Sequence, residues 1–217
     1  MPDFDYARKT MVDNQLRTSG VTDRRLLLAL GEVPREKFVP AERAALAYVD
    51  TEHPLGGGRA LGAPAPFAKL LQLAAIEHTD TVLDVGAGSG YSTAVLAQLA
   101  ANVVGLESDP ALAAKARETL TGLGIANATI IEAALDGTAA VGGPFEVIVV
   151  EGMLDAAPEV LFSHLKDGGR LVALIRGAGP AVAHIFVKSG EDITARADFD
   201  ASLPWQPAPP KPVEFVF

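Results

Sequence analysis

Three carboxylates stand where short apolar runs end: Asp84 in VLDVGAGSGY, Glu107 in NVVGLES and Asp136 in ALDG. The first surrounds a run of alternating glycines, Gly86, Gly88 and Gly90. Glycine there lets the backbone turn sharply and lets a ligand approach main-chain atoms. Glu107 ends the second run, where a carboxylate accepts hydrogen bonds from both hydroxyls of a ribose. The chemistry this pattern can perform is capture of a nucleoside. The candidate binding set is Asp84, Val85, Gly86, Ala87, Gly88 and Gly90 in the turn, Glu107 with Ser108, Leu135 with Asp136, and Glu151 after FEVIVV.

The glycine order narrows the nucleoside. Dinucleotide sites use G-x-G-x-x-G and an exposed helix N-terminus for the pyrophosphate. Here the order is G-x-G-x-G, with an acid two residues ahead. S-adenosylmethionine has no phosphate, and its methionine part carries an ammonium and a sulfonium, so Asp84 beside the turn suits it. Asp136 suits an adenine amino group. Glu151 is either a polar group at the rim or a solvent-facing strand end. A single glycine at a strand-to-helix turn is common to α/β proteins; the combination with a strand-end acid is what carries the assignment.

These residues need strands to place them. TVLDVGAG, NVVGLES, ATIIEAA, FEVIVV and GGRLVALI are short and almost continuously apolar, as parallel strands buried on both faces are. Helical stretches separate them: YSTAVLAQLAA, a segment from Asp109-Pro110 to Gly122 with its own N-cap and first-turn proline, and APEVLFSHLKDGG. The spacing predicts a further helix over Phe67, Leu70, Leu71, Ala74 and Ala75. Strands alternating with helices predict a Rossmann-like, doubly wound α/β fold with a mostly parallel sheet. Residues 5–50 read as helical, with Thr22-Asp23 capping the Leu26, Leu27, Leu30 stripe. Lys188-Ser189-Gly190-Glu191 predicts an antiparallel C-terminal hairpin, and the proline-rich end, extended edge packing. The chain reads as one domain: an N-terminal helical region and loop over 1–63, an α/β core over 64–176, and a hairpin with its tail over 177–217.

Composition bounds the partners. The 217 residues carry a net charge of −9, with 49% hydrophobic and 21% charged residues. That acidic balance argues against general nucleic-acid or membrane-surface binding. With no cysteine, thiolate catalysis and cysteine-ligated metals are excluded. His53, His78, His164 and His184 show no metal spacing, so no metal is expected. The N-terminus lacks a signal-peptide pattern and no apolar run reaches the ~18 residues of a membrane span; a soluble, cytoplasmic protein is expected. Nothing here specifies an oligomeric state.

Several blocks resemble the protein-L-isoaspartate O-methyltransferases: MVDNQL, GVTD, LLALGEVPREKFVP, AYVD, VLDVGAGSGY, the DG of ALDG, PFEVIVVEG and GGRLV. VPREKFVP is the most distinctive. The resemblance spans about residues 11–176 and implies S-adenosylmethionine as cofactor and a protein or peptide carboxylate as acceptor. It also implies that PLGGGRALGAP (54–64) is the acceptor loop, which in the family reads approximately P-I-G-x-G-Q-T-I-S-Q-P. Pro54, Leu55, Gly56, Gly58, Leu61 and Pro64 keep that frame, whereas Arg59, Ala60, Gly62 and Ala63 replace glutamine, threonine, serine and glutamine.

The loop positions Arg59, Leu61 and Gly62 are therefore the candidate catalytic ones, with no reactive side chain defined. Methyl transfer to a carboxylate needs no general base, because the acceptor is already ionised at neutral pH. Rate comes from alignment, and one lost positioning hydrogen bond costs about 1–3 kcal/mol. A backbone N–H at Gly62 can substitute in part. Arg59 is expected to be a solvated surface arginine, with bidentate pairing to a carboxylate the alternative. Trp205 and Phe199 are expected to pack an edge, with an acceptor pocket the alternative. Two further readings stay open: a methyltransferase for another acceptor, small or proteinaceous, and a non-catalytic S-adenosylmethionine-binding module. A nicotinamide dehydrogenase fits the glycine order less well.

Overall fold

The computed structural model describes residues 3–139, 141–177 and 179–204. Its centre is a seven-stranded sheet. In chain order the strands are β3 (Thr81–Val85), β4 (Asn102–Glu107), β5 (Ala128–Glu132), β6 (Phe145–Leu154), β7 (Leu165–Arg176), β8 (Ala181–Ser189) and β9 (Asp192–Asp200). A small hairpin, β1 (His53–Gly56) and β2 (Arg59–Leu61), precedes them. The spatial order is β5-β4-β3-β6-β7-β8-β9. The first five are parallel, and β8 and β9 complete an antiparallel edge. The chain runs outward from β3 to β5, then returns to place β6 on the other side of β3. That reversal opens a crevice at the carboxyl ends of β3, β4 and β6.

Alternation along the strands feeds two cores. Val82, Val147, Val149 and Val172 face one cluster; Leu83, Val85, Ile148 and Val150 face the other. The first is covered by α1 (Phe4–Met11), α2 (Arg24–Glu32), α3 (Pro64–Ala74), α4 (Tyr91–Ala97) and α5 (Pro110–Gly122). The cap residues act as the sequence predicts: Asp23 accepts from the N–H groups of Arg25 and Leu26, and Asp109 from those of Ala111 and Leu112. On the second face Val141, Phe145, Leu161 and Leu165 fill the layer.

APEVLFSHLKDGG does not form the predicted α-helix. Only Glu159–His164 coils, as a 3-10 helix, and Leu165 already pairs with Phe145 in β7. Strand β6 runs on to Leu154, which leaves residues 155–164 too few for a packed α-helix. Lys166–Gly169 then bulge out before Arg170 resumes pairing with Val147. The AERAALAYV segment likewise forms a 3-10 helix, over Ala41–Leu46, and α3 stops at Ala74 because Ala75 turns left-handed. The Ser189-Gly190 turn joins β8 to β9 as expected. The predicted edge packing of the tail from Trp205 onward lies outside the described residues. Among the described residues no helix is long and apolar enough to cross a membrane.

Candidate functional site

The turn after β3 is pinned to its neighbour strand. The N–H groups of Gly86 and Ala87 both donate to the Leu106 carbonyl, at 2.8 and 3.0 Å. Gly86, Gly88 and Gly90 have φ of 89, 57 and 91°, a region that L side chains rarely adopt. A Cβ on Gly90 would lie 3.0 Å from the Cβ of Ala116, so the turn also packs against α5.

Glu107 is fully buried at the end of β4. Its Oε1 accepts from the N–H groups of Ser108 and Asp109, at 2.8 and 2.9 Å. Its Oε2 accepts from the Gly88 N–H at 2.7 Å and from Arg59 at 2.9 Å. Asp84 is also fully buried. Its Oδ2 accepts from Ser92 Oγ and Thr93 Oγ1, at 2.7 and 2.6 Å, while Oδ1 has no hydrogen-bond partner among the described residues. Burial pushes the Asp84 carboxyl up to about 6, against the two hydroxyls that lower it; the Glu107 charge adds to the rise and Arg59 offsets it. Burial, with the Asp84 charge, holds the Glu151 carboxyl well above its ordinary range.

Hairpin β1–β2 lies over this crevice. Gly56, Gly57 and Gly58 all have positive φ (97, 57 and 76°), which turns the hairpin tightly. Arg59 follows and points inward. Its Nη2 donates to Glu107 Oε2 and, at 3.1 Å, to the Gly86 carbonyl, and its side chain is 9% exposed. The expectation of a solvated Arg59 is thus overturned, because the glycine turn and Glu107 offer it a carboxylate and a carbonyl together. Arg35, from VPREKFVP, anchors the far end of the hairpin. It is fully buried, donates to the Ala47 and Gly62 carbonyls, and stacks 4.7 Å above the Tyr91 ring of α4. From the same block, the Phe38 carbonyl accepts from Ser89 Oγ at 2.6 Å. Where the family pattern has serine, a Cβ on Gly62 would meet Leu203 Cδ2 at 2.7 Å. Leu203 therefore takes the space of that side chain.

Leu55, Ala60, Leu61 and Gly62 of the hairpin and Gly86, Ala87, Gly88, Ser89, Ser92 and Glu151 of the strand ends line one cavity of about 20 Å³, closed by Leu203 and Pro204. Cofactor sites usually span roughly 300–1,000 Å³, so this cavity is smaller than a nucleoside needs. The donor set nevertheless suits a nucleoside with a cationic amino-acid tail. It offers a buried carboxylate at a strand end, an unpartnered Asp84 oxygen, and a turn with glycine at every second position.

The sequence matches the protein-L-isoaspartate(D-aspartate) O-methyltransferase family over residues 7–201. The chain belongs to this family. It is 38% identical over 197 residues to a protein-L-isoaspartate O-methyltransferase of Methylorubrum populi, covering 90% of this chain and 92% of that one. A Koribacter versatilis protein of the same name is 40% identical over 171 residues, 78% of this chain and 76% of the relative. A Plasmodium falciparum protein described as a beta-aspartate methyltransferase, solved with S-adenosyl-L-homocysteine, superposes with a TM-score of 0.78. It is 24% identical over 90% of this chain and 96% of that one. A further structure named protein-L-isoaspartate O-methyltransferase gives a TM-score of 0.77 at 23% identity; this chain spans 66% of its length.

Within this isoaspartyl methyltransferase frame, Gly86, Ala87, Gly88, Glu151, Leu61 and Gly62 line that cavity, and Glu107 and Arg59 join it through hydrogen bonds to Gly88 and Gly86, whereas Asp84, Val85, Gly90 and Ser108 do not line it. Leu135 and Asp136 sit on the loop after β5 and do not line the cavity; Asp136 Oδ1 accepts from Thr138 N and Oγ1 at 3.0 and 2.6 Å. Phe199 does not line it either, lying under the Lys69 ammonium at 4.1 Å, and Trp205 falls outside the described residues. Arg35, Ser92, Thr93 and Leu203 were not singled out from sequence. Arg35 had a weak signal, its place in the distinctive VPREKFVP block, but Glu36 and Lys37 beside it look equally charged from sequence. Leu203 had none, because its contact with Gly62 joins distant parts of the chain.

Proposed function

We infer that this chain uses S-adenosylmethionine to esterify the free carboxylate of L-isoaspartyl residues in proteins and peptides. One observation carries the reading beyond family membership: hairpin residues in the position of the family's acceptor loop and the glycine turn line the same cavity. When bound, S-adenosylmethionine supplies a methyl on a positively charged sulfur that leaves as a neutral thioether. Glu107 would hold the ribose, Asp84 and Glu151 the cationic tail, and Leu135 with Asp136 the adenine end. The hairpin excludes water above them. Arg35 fixes the Gly62 carbonyl and so the height of Leu61 and Gly62 over the turn. No residue need remove a proton, since the acceptor carboxylate is ionised at neutral pH. The cysteine-free composition agrees with a reducing cytoplasm.

The test is transfer of labelled methyl to an isoaspartyl peptide, with its normal aspartyl isomer as control. Label should appear on the isoaspartyl isomer alone. Because no side-chain hydroxyl or amide stands at Ala60, Gly62 or Ala63, kcat/KM should fall about ten- to a hundredfold below that of relatives with the loop serine. Labelling of other components of a cell extract, with none on the isoaspartyl peptide, would sink this acceptor.

A further inference from the structure

We propose that Arg59 is a tethered cation that the methyl donor displaces, and that the displaced guanidinium then reads the acceptor carboxylate. The inference rests on the donor site assigned above. Glu107 offers about four lone-pair positions. Three backbone N–H groups and Arg59 already fill them, with the Ser108 hydroxyl a longer contact at 3.5 Å from Oε1. The backbone donors belong to the turn and to the start of α5 and cannot leave without unfolding them. Arg59 is the partner of Oε2 that sits on a separate element, a hairpin whose tip is Gly56-Gly57-Gly58. A ribose hydroxyl needs an acceptor position on that carboxylate, and only the departure of Arg59 frees one on Oε2, so its arrival requires the arginine to go.

Volume points the same way, since a cavity of about 20 Å³ under the hairpin admits one water-sized probe rather than a nucleoside. Charge does too. Arg59 offsets the Asp84, Glu107 and Glu151 carboxylates. S-adenosylmethionine, with two positive groups and one negative, brings the same net charge into the crevice. Once displaced, Arg59 remains on the hairpin beside Leu61 and Gly62. A guanidinium there matches a carboxylate bidentately, at the position where the family pattern has a neutral glutamine. The acceptor therefore meets its arginine only when the donor side is filled.

The competition has a quantitative signature. A closed state that must open first weakens every ligand of the open state by the same factor. Calorimetric titration with S-adenosylhomocysteine, which cannot react, measures that factor without turnover. The Arg59→Gln variant should bind it at least about fivefold more tightly than the parent. S-adenosylmethionine should gain by the same factor. In steady state with saturating donor, the same variant should raise the isoaspartyl-peptide KM at least about tenfold, and Arg59→Lys should fall between it and the parent. Unchanged or weaker S-adenosylhomocysteine binding in Arg59→Gln overturns the proposal, as does an unchanged peptide KM. If neither protein binds S-adenosylhomocysteine, the donor-site assignment itself fails and takes this inference with it. Should Arg59→Gln misfold, Arg59→Met is titrated under the same criteria.

Discussion

Replacing Asp84 by asparagine should make the ligand-free protein more stable at neutral pH while weakening donor binding. Asp84 is fully buried, and burial raises its carboxyl from 3.8 to about 6. The native state therefore binds this proton more tightly than the unfolded chain does. Between the two values the native state holds the proton and the unfolded state has lost it, so stability falls as pH rises through that window and levels off above about 6. The interval corresponds to about 3 kcal/mol of destabilisation at pH 7.5. Asparagine mimics the neutral acid and can still accept from Ser92 and Thr93. Any penalty of its amide facing the site is constant with pH, so the change with pH is the diagnostic quantity. The groups facing Asp84 that also shape the curve are Glu107 from β4, Glu151 from β6 and Arg59 from the hairpin. The assay is urea unfolding of parent and variant from about pH 3.5 to 7.5. The difference in stability should move by about 3 kcal/mol in favour of asparagine across that range. A difference that stays flat, or moves toward the parent as pH rises, would refute the assignment of a costly buried carboxylate.

Glu107→Gln should weaken S-adenosylhomocysteine binding at least about tenfold by calorimetry, because an amide has one accepting oxygen where the carboxylate has two for the ribose and the three backbone donors; unchanged binding removes the ribose role. Gly62→Ser alone should not restore a strong isoaspartyl activity, since its Cβ would meet Leu203; it should lower stability by about 1–3 kcal/mol. Adding Leu203→Ala should relieve the clash and raise kcat/KM on the isoaspartyl peptide, and full rescue by the single variant would count against this packing account. Arg35→Lys should raise the peptide KM about tenfold while leaving S-adenosylhomocysteine affinity within about twofold, because one ammonium cannot bridge the Ala47 and Gly62 carbonyls and stack on Tyr91. Equal losses of both affinities would place Arg35 in the donor site instead.

The sequence alone determined what local patterns encode. Apolar runs of strand length, Asp23 and Asp109 before helical stripes, and glycines alternating after β3 each act over a few residues, so the sheet, caps and turn were legible. Glu107 at a strand end was legible for the same reason. APEVLFSHLKDGG was misread because its fate depends on how far β6 extends, and that extent is set by pairing with β3 and β7. Arg59 was misread because its composition-level surroundings look solvated, whereas its partners, Glu107 and the Gly86 carbonyl, lie in other segments. The filling of the Gly62 position by Leu203 was invisible for the same reason. Turns and caps follow from nearest neighbours along the chain; which charges pair, and which side chain fills a vacated position, follow from contacts between segments that only the folded topology brings together.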